Sequence, residues 1–409
     1  MHGTIDSLFR VEWRPLAELD AITAEWRDLA GRALEPNVFY EPSFALAAAP
    51  VLGREVGAGL VWSRAALASE ASSQRGNSKV RAPDTRPEPG SSARLVGFFP
   101  ARIARRRYGI TLPVLAGWTH PYAPLGTPLV DCEAPEAVIA AWLDHVASDP
   151  ELPDVMLLPS LPSNGALAQA IDAVLARRDG QSASFAHHRR ALLAPAGDRA
   201  GYLDAAVGHK KRKELRRQRK RLGDNGSVTS GDTGDPAAVP RALGDFLALE
   251  AEGWKGRAGT AARGDVRIAA FMITAVSALA GEGKARIARL CVDEHPIAAM
   301  VTLRSGAGAW CWKIAYDENY ARCSPGVHIL LDVTQRLLDD PSVARADSCA
   351  TADHPMIDHI WRERLALADR LLSVGPAKSS RFALARKLET LRRAAIGGAK
   401  ALRDILNRR

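Results

Sequence analysis

On either side of a run of Lys and Arg at 209–221, this chain passes twice through the same order of elements: helices, a strand hairpin, strand, helix, strand, helix, strand. In the first pass, Leu16, Leu19, Ile22, Trp26 and Leu29 recur near a 3.6 period, predicting a helix over 15–34, and Pro42 opens a second. Strands are predicted at 56–63 and 94–106, strand and loop at 112–131, and then helix 134–149, strand 153–162, helix 165–180 and strand 184–195. The second pass predicts helices 237–256 and 265–283, a hairpin over 284–306 and a strand at 309–320. Helix 327–340, strand 345–351, helix 354–366 and strand 369–375 complete it. A hairpin followed by β-α-β-α-β builds a mixed sheet with helices on both faces, so the expected class is α/β, two like domains in tandem. The domains are placed at 1–199 and 200–376, followed by a basic amphipathic helix at 377–409. Residues 64–93 are rich in Ser, Arg, Pro and Gly and poor in large apolar residues, which predicts a disordered insertion at the tip of the first hairpin.

The net charge of +9 favours anionic partners, and much of it sits in 210–221 and 378–409. Five scattered Cys without a CxxC pair argue against a disulfide framework or a zinc site, and no metal is expected. The first residues lack a basic segment followed by an apolar one, and no apolar run reaches membrane-spanning length. A cytoplasmic location is therefore expected.

The segment "KIAYDENYARCSPGVHILLDV" carries the most chemistry. A strand ends, Ser324, Pro325 and Gly326 form a short loop, and a helix begins. Ser324 suits a helix cap and Pro325 a first turn. The amides of Gly326, Val327 and His328 would then be free at a helix N-terminus, where anions bind. Ser-Pro-Gly is equally a good helix start with no ligand.

The order hairpin, strand, anion-compatible loop, helix, strand, helix, strand resembles the acyl-CoA N-acyltransferase (GNAT) fold. Within it, "FYEPSFALAAAP", "RLVGFFPARI", "WTHPYAPLGTPLVD", "RKELRRQRKRLGDNGSV", "FLALEAEGWKG", "RLCVDEHPIAAMVTL" and "AYDENYARCSPGVHILLDV" resemble the acetyltransferases associated with cellulose biosynthesis (CelD/BcsL type). Tandem domains of this fold also occur in the Fem-type peptidoglycan aminoacyltransferases. The resemblance implies that the strand before the helix lends backbone groups to pantetheine and that the helix start, through Ser324, Gly326, Val327 and His328, holds the CoA pyrophosphate. The superfamily's glycine-rich signature [Q/R]xxGx[G/A] is reduced here to one Gly.

Acyl transfer from a thioester needs a base for the acceptor, donors for the oxyanion and a proton for the thiolate. Near the expected cofactor strand, Asp317 and Tyr320 are the candidates, Tyr320 as acid or as a packing residue. In "CATADHPMIDHIW", His354 is a candidate base, the alternative being a surface His after a capping Asp353. Trp254 and Lys255 border the acceptor side, where an exposed Trp can stack on a sugar or anchor a loop. Trp118, His120 and Tyr122 sit in an aromatic loop of the first half that would line a cleft between the domains. In "WCWK", Trp310 and Trp312 share one strand face and Cys311 the other, with no His to make Cys311 a nucleophile.

The run at 209–221 holds nine Lys or Arg, but its only large apolar residues are Leu215 and, just beyond, Leu222, so it buries a narrow stripe at most. It reads as the first helix of the second domain, with Arg212, Arg216 and Arg217 facing cofactor phosphates or an anionic acceptor. The expected function is transfer of an acetyl or other acyl group from acyl-CoA to an amine or hydroxyl, on a small molecule, saccharide or envelope precursor. The alternatives are a Fem-type aminoacyl-tRNA-dependent transferase and a non-catalytic scaffold of the same fold. No recognition module for specific nucleic acid is present. An anionic membrane surface is a partner that the basic C-terminal helix suits.

Overall fold

The computed structural model describes residues 8–64, 93–375 and 379–406. Most of the predicted insertion lies outside the described residues. Its flanks do not: β2 (Val56–Ser63) pairs antiparallel with β3 (Arg94–Ala104), so the segment sits at the tip of a hairpin. An edge strand that the helical reading of 15–34 missed, β1 (Phe9–Pro15), runs along β2. Two 3-10 turns follow it, and only Thr23–Gly31 is α-helix (α1). The first half continues with α2 (Pro42–Leu52), β4 (Val114–Gly117), β5 (Leu129–Val130), α3 (Pro135–Ser148), β6 (Val155–Pro162), α4 (Ala166–Arg177) and β7 (Ser182–Leu193).

A short helix α5 (Tyr202–Ala206) and the basic helix α6 (His209–Gly223) lead to the second half. This comprises β8 (Val228–Thr233), α7 (Val239–Glu252), α8 (Trp254–Arg257), α9 (Val266–Gly281), β9 (Ala285–Val292), β10 (His295–Ser305), β11 (Gly308–Tyr316), α10 (Pro325–Asp339), β12 (Arg345–Asp347) and β13 (Glu363–Ser373). A long helix α11 (Ser380–Leu406) ends it.

The strands form one mixed sheet in the order β1-β2-β3-β4-β6-β13-β7-β12-β11-β10-β9-β8, with β5 on β3. Only β4–β6 and β11–β12 are parallel, one such pair in each half. The halves therefore run in the same order, as two like domains in tandem, except that α4 has no helical counterpart between β12 and β13. They also exchange strands. β13 of the second half lies between β6 and β7, and β7 of the first half pairs with β12. The helix expected over 354–366 does not form. A 3-10 turn at Ile357–His359 is followed by β13, because Trp361 and Ile360 bury individually and the alternating run from Glu363 pairs with β7.

One layer of helices, α1, α2, α7 and α9, buries Trp26, Phe44, Phe246 and Phe271 in a single core shared by both halves. On the first half, α3 and α4 pack in a second core. There Gly59 of β2 has no side chain because the Trp142 ring would lie only 2.3 Å from a Cβ. The core of α10 includes Leu222 of α6 and Trp361, whose indole N–H donates to Thr334 at 2.9 Å. Across the interface Lys284 pairs with Glu41 and Arg27 with Glu282, and within the second half Lys284 also pairs with Glu282.

Candidate functional site

β11 and β12 pair for only three residues, Gly308–Trp310 against Arg345–Asp347. Beyond them β11 runs on to Tyr316 while the other chain departs, so the parallel pair splays open. At the opening β11 carries a bulge: Thr302 pairs with Cys311 and Val301 with Lys313, leaving Trp312 unopposed. A bulge shifts side-chain parity. Trp312 and Lys313 consequently both reach Tyr122, a residue of the first half. Lys313 Nζ lies 4.4 Å from the Tyr122 ring centroid and 5.9 Å from that of Trp312, and donates to the Pro121 carbonyl at 3.4 Å.

Burial, then the charge of Lys255, pushes the Lys313 amine down to about 8. Lys255 itself pairs with buried Glu250 at 2.7 Å, and the other Glu250 oxygen accepts the Ala262 N–H at 2.9 Å. Burial, Glu250 and Asp265 raise Tyr122 above the usual phenol range. His120 is held at about 3, by burial first and Lys313 second, so the imidazole is neutral. It packs against Trp118, Phe44, Tyr122 and Phe271, accepts the Tyr122 N–H on Nδ1, and leaves Nε2 buried with no partner among the described residues. Trp118 is buried behind it, stacked on Tyr40 and donating to the Leu52 carbonyl, so it supports the wall and does not reach the cleft surface. Trp254 is 58% exposed at the start of α8, its backbone N–H held by Glu318 at 2.7 Å.

The second region lies at the start of α10. A pocket of about 480 Å³ is lined by Arg212, Leu215, Arg216 and Arg219 of α6, His328, Leu331 and Asp332 of α10, and three residues around α5. Residues 212, 216 and 219 share a helix face. Arg212 pairs with Asp204 and Arg219 with Asp332, whereas Arg216 has no ion-pair partner among the described residues. Arg217, expected beside them, is on the solvent side and pairs with Glu214. Burial and Arg219 lower His328 below the usual imidazole range, and its Nε2 is buried without a partner.

The backbone cradle differs from the one expected. Ser324 is left-handed, its side chain caps nothing, and its carbonyl takes the Val327 and His328 N–H groups at 3.0 and 3.2 Å. Pro325 has no N–H, so Gly326 alone offers a free first-turn amide. The space beside Gly326 belongs to protein: a Cβ there would meet the Tyr316 ring at 3.0 Å and the Met356 sulfur at 3.5 Å. Any phosphate held here would rest mainly on the guanidinium groups.

Among the remaining candidates, Asp317 caps the turn Glu318–Cys323, accepting the Asn319 N–H. Tyr320 is half-buried in that turn, packed on the core of α10. His354 accepts the Met356 N–H on Nδ1 in the loop after β12, just before the 3-10 turn Ile357–His359. Cys311 is buried and its thiol is pushed above its usual range by burial and Asp347. The structure thus gathers His120, Tyr122 and Lys255 around Lys313, and Arg216 and His328 in one pocket. Sequence reasoning passed over Lys313, Glu250 and Arg219. The signal for Lys313 was a lone cation in the apolar run "WCWKIAY". Among the described residues no cluster of three His, Cys, Asp or Glu could hold a metal ion, and no single helix is long and apolar enough to cross a membrane.

Residues 209–354 match the family model described as acetyltransferase (GNAT) domain, which takes in α6, the bulged β11, α10 and β12. No curated protein matches the chain. Among solved structures, FemX is similar in fold, with a TM-score of 0.52 at 8% identity, covering 86% of this chain and 95% of that one. A conserved protein of unknown function from Bacteroides thetaiotaomicron VPI-5482 gives a TM-score of 0.50 at 11% identity, covering 89% and 99%. At these identities the likeness concerns the fold alone.

Proposed function

We propose that the chain is an acyltransferase whose second half takes its donor from acyl-CoA and passes the acyl group to an amine or hydroxyl in the cleft between the halves. The observation that supports this reading is the pocket where Arg212, Arg216 and Arg219 converge beside His328 of α10, the helix that follows the splayed, bulged β11. Arg216 is the uncompensated charge that a diphosphate would neutralise. In the cleft, neutral Lys313 accepts the acceptor's proton as the acceptor attacks the thioester carbonyl. The new C–N or C–O bond forms, the C–S bond breaks, and the ammonium of Lys313 returns the proton to the leaving thiolate. Tyr122 and Lys255 orient the acceptor, and exposed Trp254 offers a stacking face for a sugar, in keeping with a saccharide or envelope precursor and with the cellulose-associated (CelD/BcsL) branch.

Calorimetry with acetyl-CoA tests the donor. The wild type binds, and Arg216→Glu binds at least about tenfold more weakly; a wild type that gives no heat with acetyl-CoA refutes this donor. A second donor, an aminoacyl-tRNA, is favoured by the solvent side of α6, where Lys210, Lys211, Lys213, Arg217, Lys220 and Arg221 are all exposed. Saturable tRNA binding at physiological salt, with no acetyl-CoA binding, would select it.

A further inference from the structure

α11 has two sides with different fates. Phe382, Ala385 and Glu389 face the body, where Phe382 and Ala385 pack on Val114, Val155, Leu157 and Leu371. Glu389 is fully buried and receives Arg107 through two hydrogen bonds, at 3.0 and 3.1 Å, while Arg393 binds both Glu389 and Asp369. On the outer side Leu384 and Leu391 are 43% and 65% exposed, and Ile396, in line with Phe382 and Glu389 but beyond the body, is 48% exposed. Leu384, Leu388, Leu391, Ala395 and Gly398 follow a 4-3-4-3 spacing, which keeps one stripe on one face. From Ala394 to Ala399 every residue is exposed, so the helix leaves the body.

A helix that projects into water with Gly397 and Gly398 in it is poorly stabilised on its own. Its charge says what covers it. Between Ser380 and Leu406 there are seven Lys or Arg against two acids; Arg392 and Arg393 are engaged with Glu389 and Arg381 with Asp154, whereas exposed Arg386 and Lys387 have no ion-pair partner among the described residues. The turn tied to α11 through Arg107 adds exposed Arg105 and Arg106 and a 46% exposed Ile110. A second copy of this surface would set like charges face to face. A nucleic acid would leave the leucines in water.

We propose that α11 and the 105–110 turn bind an anionic lipid surface, with Leu384 and Leu391 in the interface and the Arg and Lys side chains on the headgroups. This does not rest on the transferase reading. It would bring the enzyme to acceptors at a membrane.

The test is co-sedimentation of the full chain with vesicles of phosphatidylcholine, alone or mixed with phosphatidylglycerol. The wild type binds the mixed vesicles, and binding weakens with salt. Leu391→Glu, at an exposed position, lowers the bound fraction about tenfold without changing the melting temperature. Arg386→Glu with Lys387→Glu does the same on mixed vesicles only. Three results overturn the proposal: equal binding to neutral vesicles, binding lost in the charge variant but unaltered in Leu391→Glu, or a wild-type dimer by light scattering that Leu391→Glu dissociates.

Discussion

Lys313→Met separates chemistry from stability at one position. In the folded chain the amine sits at about 8 against an ordinary 10.5, displaced by burial and by Lys255. That displacement of about 2.5 units corresponds to about 3.4 kcal/mol by which the fold disfavours the charged form. The side chain is only half-buried, and solvent screening reduces the expected penalty to about 1–2 kcal/mol. Because the folded value is lowered, the native state releases the proton before the unfolded chain does. The penalty is full below pH 8, declines as pH rises from 8 to 10.5, and is gone above that. Met keeps the unbranched length without the charge. Lys313→Met is therefore more stable than wild type by about 1–2 kcal/mol at pH 7 in urea unfolding, with the gain shrinking toward pH 10. In a thiol-release assay with acetyl-CoA, the wild-type rate climbs with pH through about 8, and the variant is slower by about two to four orders of magnitude with that limb absent. A variant destabilised at pH 7, or an unchanged pH profile, would mean that Lys313 only pins Tyr122 and Pro121 between the halves.

Further outcomes are expected. For Glu389, burial raises the carboxyl, but the hydrogen bonds and charges of Arg107 and Arg393 outweigh it and hold the group at about 2. Glu389→Gln should cost up to about 3 kcal/mol at neutral pH. The wild-type contribution, present above pH 4.5, should fade as pH falls toward 2, read as tryptic release of α11. Trp254→Ala, at an exposed position, should leave acetyl-CoA affinity and melting temperature unchanged while raising KM for the acceptor about tenfold. An unchanged KM would remove Trp254 from the acceptor site.

Legibility in the sequence followed periodicity. α3, α4, α7, α9 and α10 bury one helical face each, and their spacing announced them. β1 was missed because its FRVEWRP run carries alternating charge and its neighbour 16–29 mimics a helical stripe. The 354–366 region misled for the opposite reason. Ile357, Ile360 and Trp361 are helically spaced, yet the strand that follows is claimed by β6 and β7, nearly two hundred residues away. No local pattern encodes that exchange. At the site, helix register gave Arg212 and Arg216, but choosing Arg219 over Arg217 required knowing which face meets α10. At Gly326 the first-turn amide stays free, but the Tyr316 ring occupies the space on the side where a Cβ would point, which no local pattern announced.

The strand exchange also bears on what donor the site suits. Since β13 and β7 are interleaved, β4 and β5, which flank the loop holding Tyr122, and the strand holding Lys313 belong to one sheet and cannot hinge apart without breaking the ladders between β6, β13, β7 and β12. On the proposed reading, the acceptor cleft at Lys313 and the donor pocket at Arg216 are joined through the end of β11, the turn after it and α10. From Lys313 to Tyr316 the strand advances about 10 Å, and the Glu318–Cys323 turn intervenes before α10 begins. We expect a donor that touches both Arg216 and Lys313 to carry its activated carbonyl on an arm of about that length. A simple acyl phosphate is too short. A thioester at the end of a pantetheine arm, or an ester at the end of a tRNA, has the reach. A short acyl phosphate that supported transfer as well as acetyl-CoA, with Arg216→Glu still defective, would refute this spacing and place both reacting groups elsewhere.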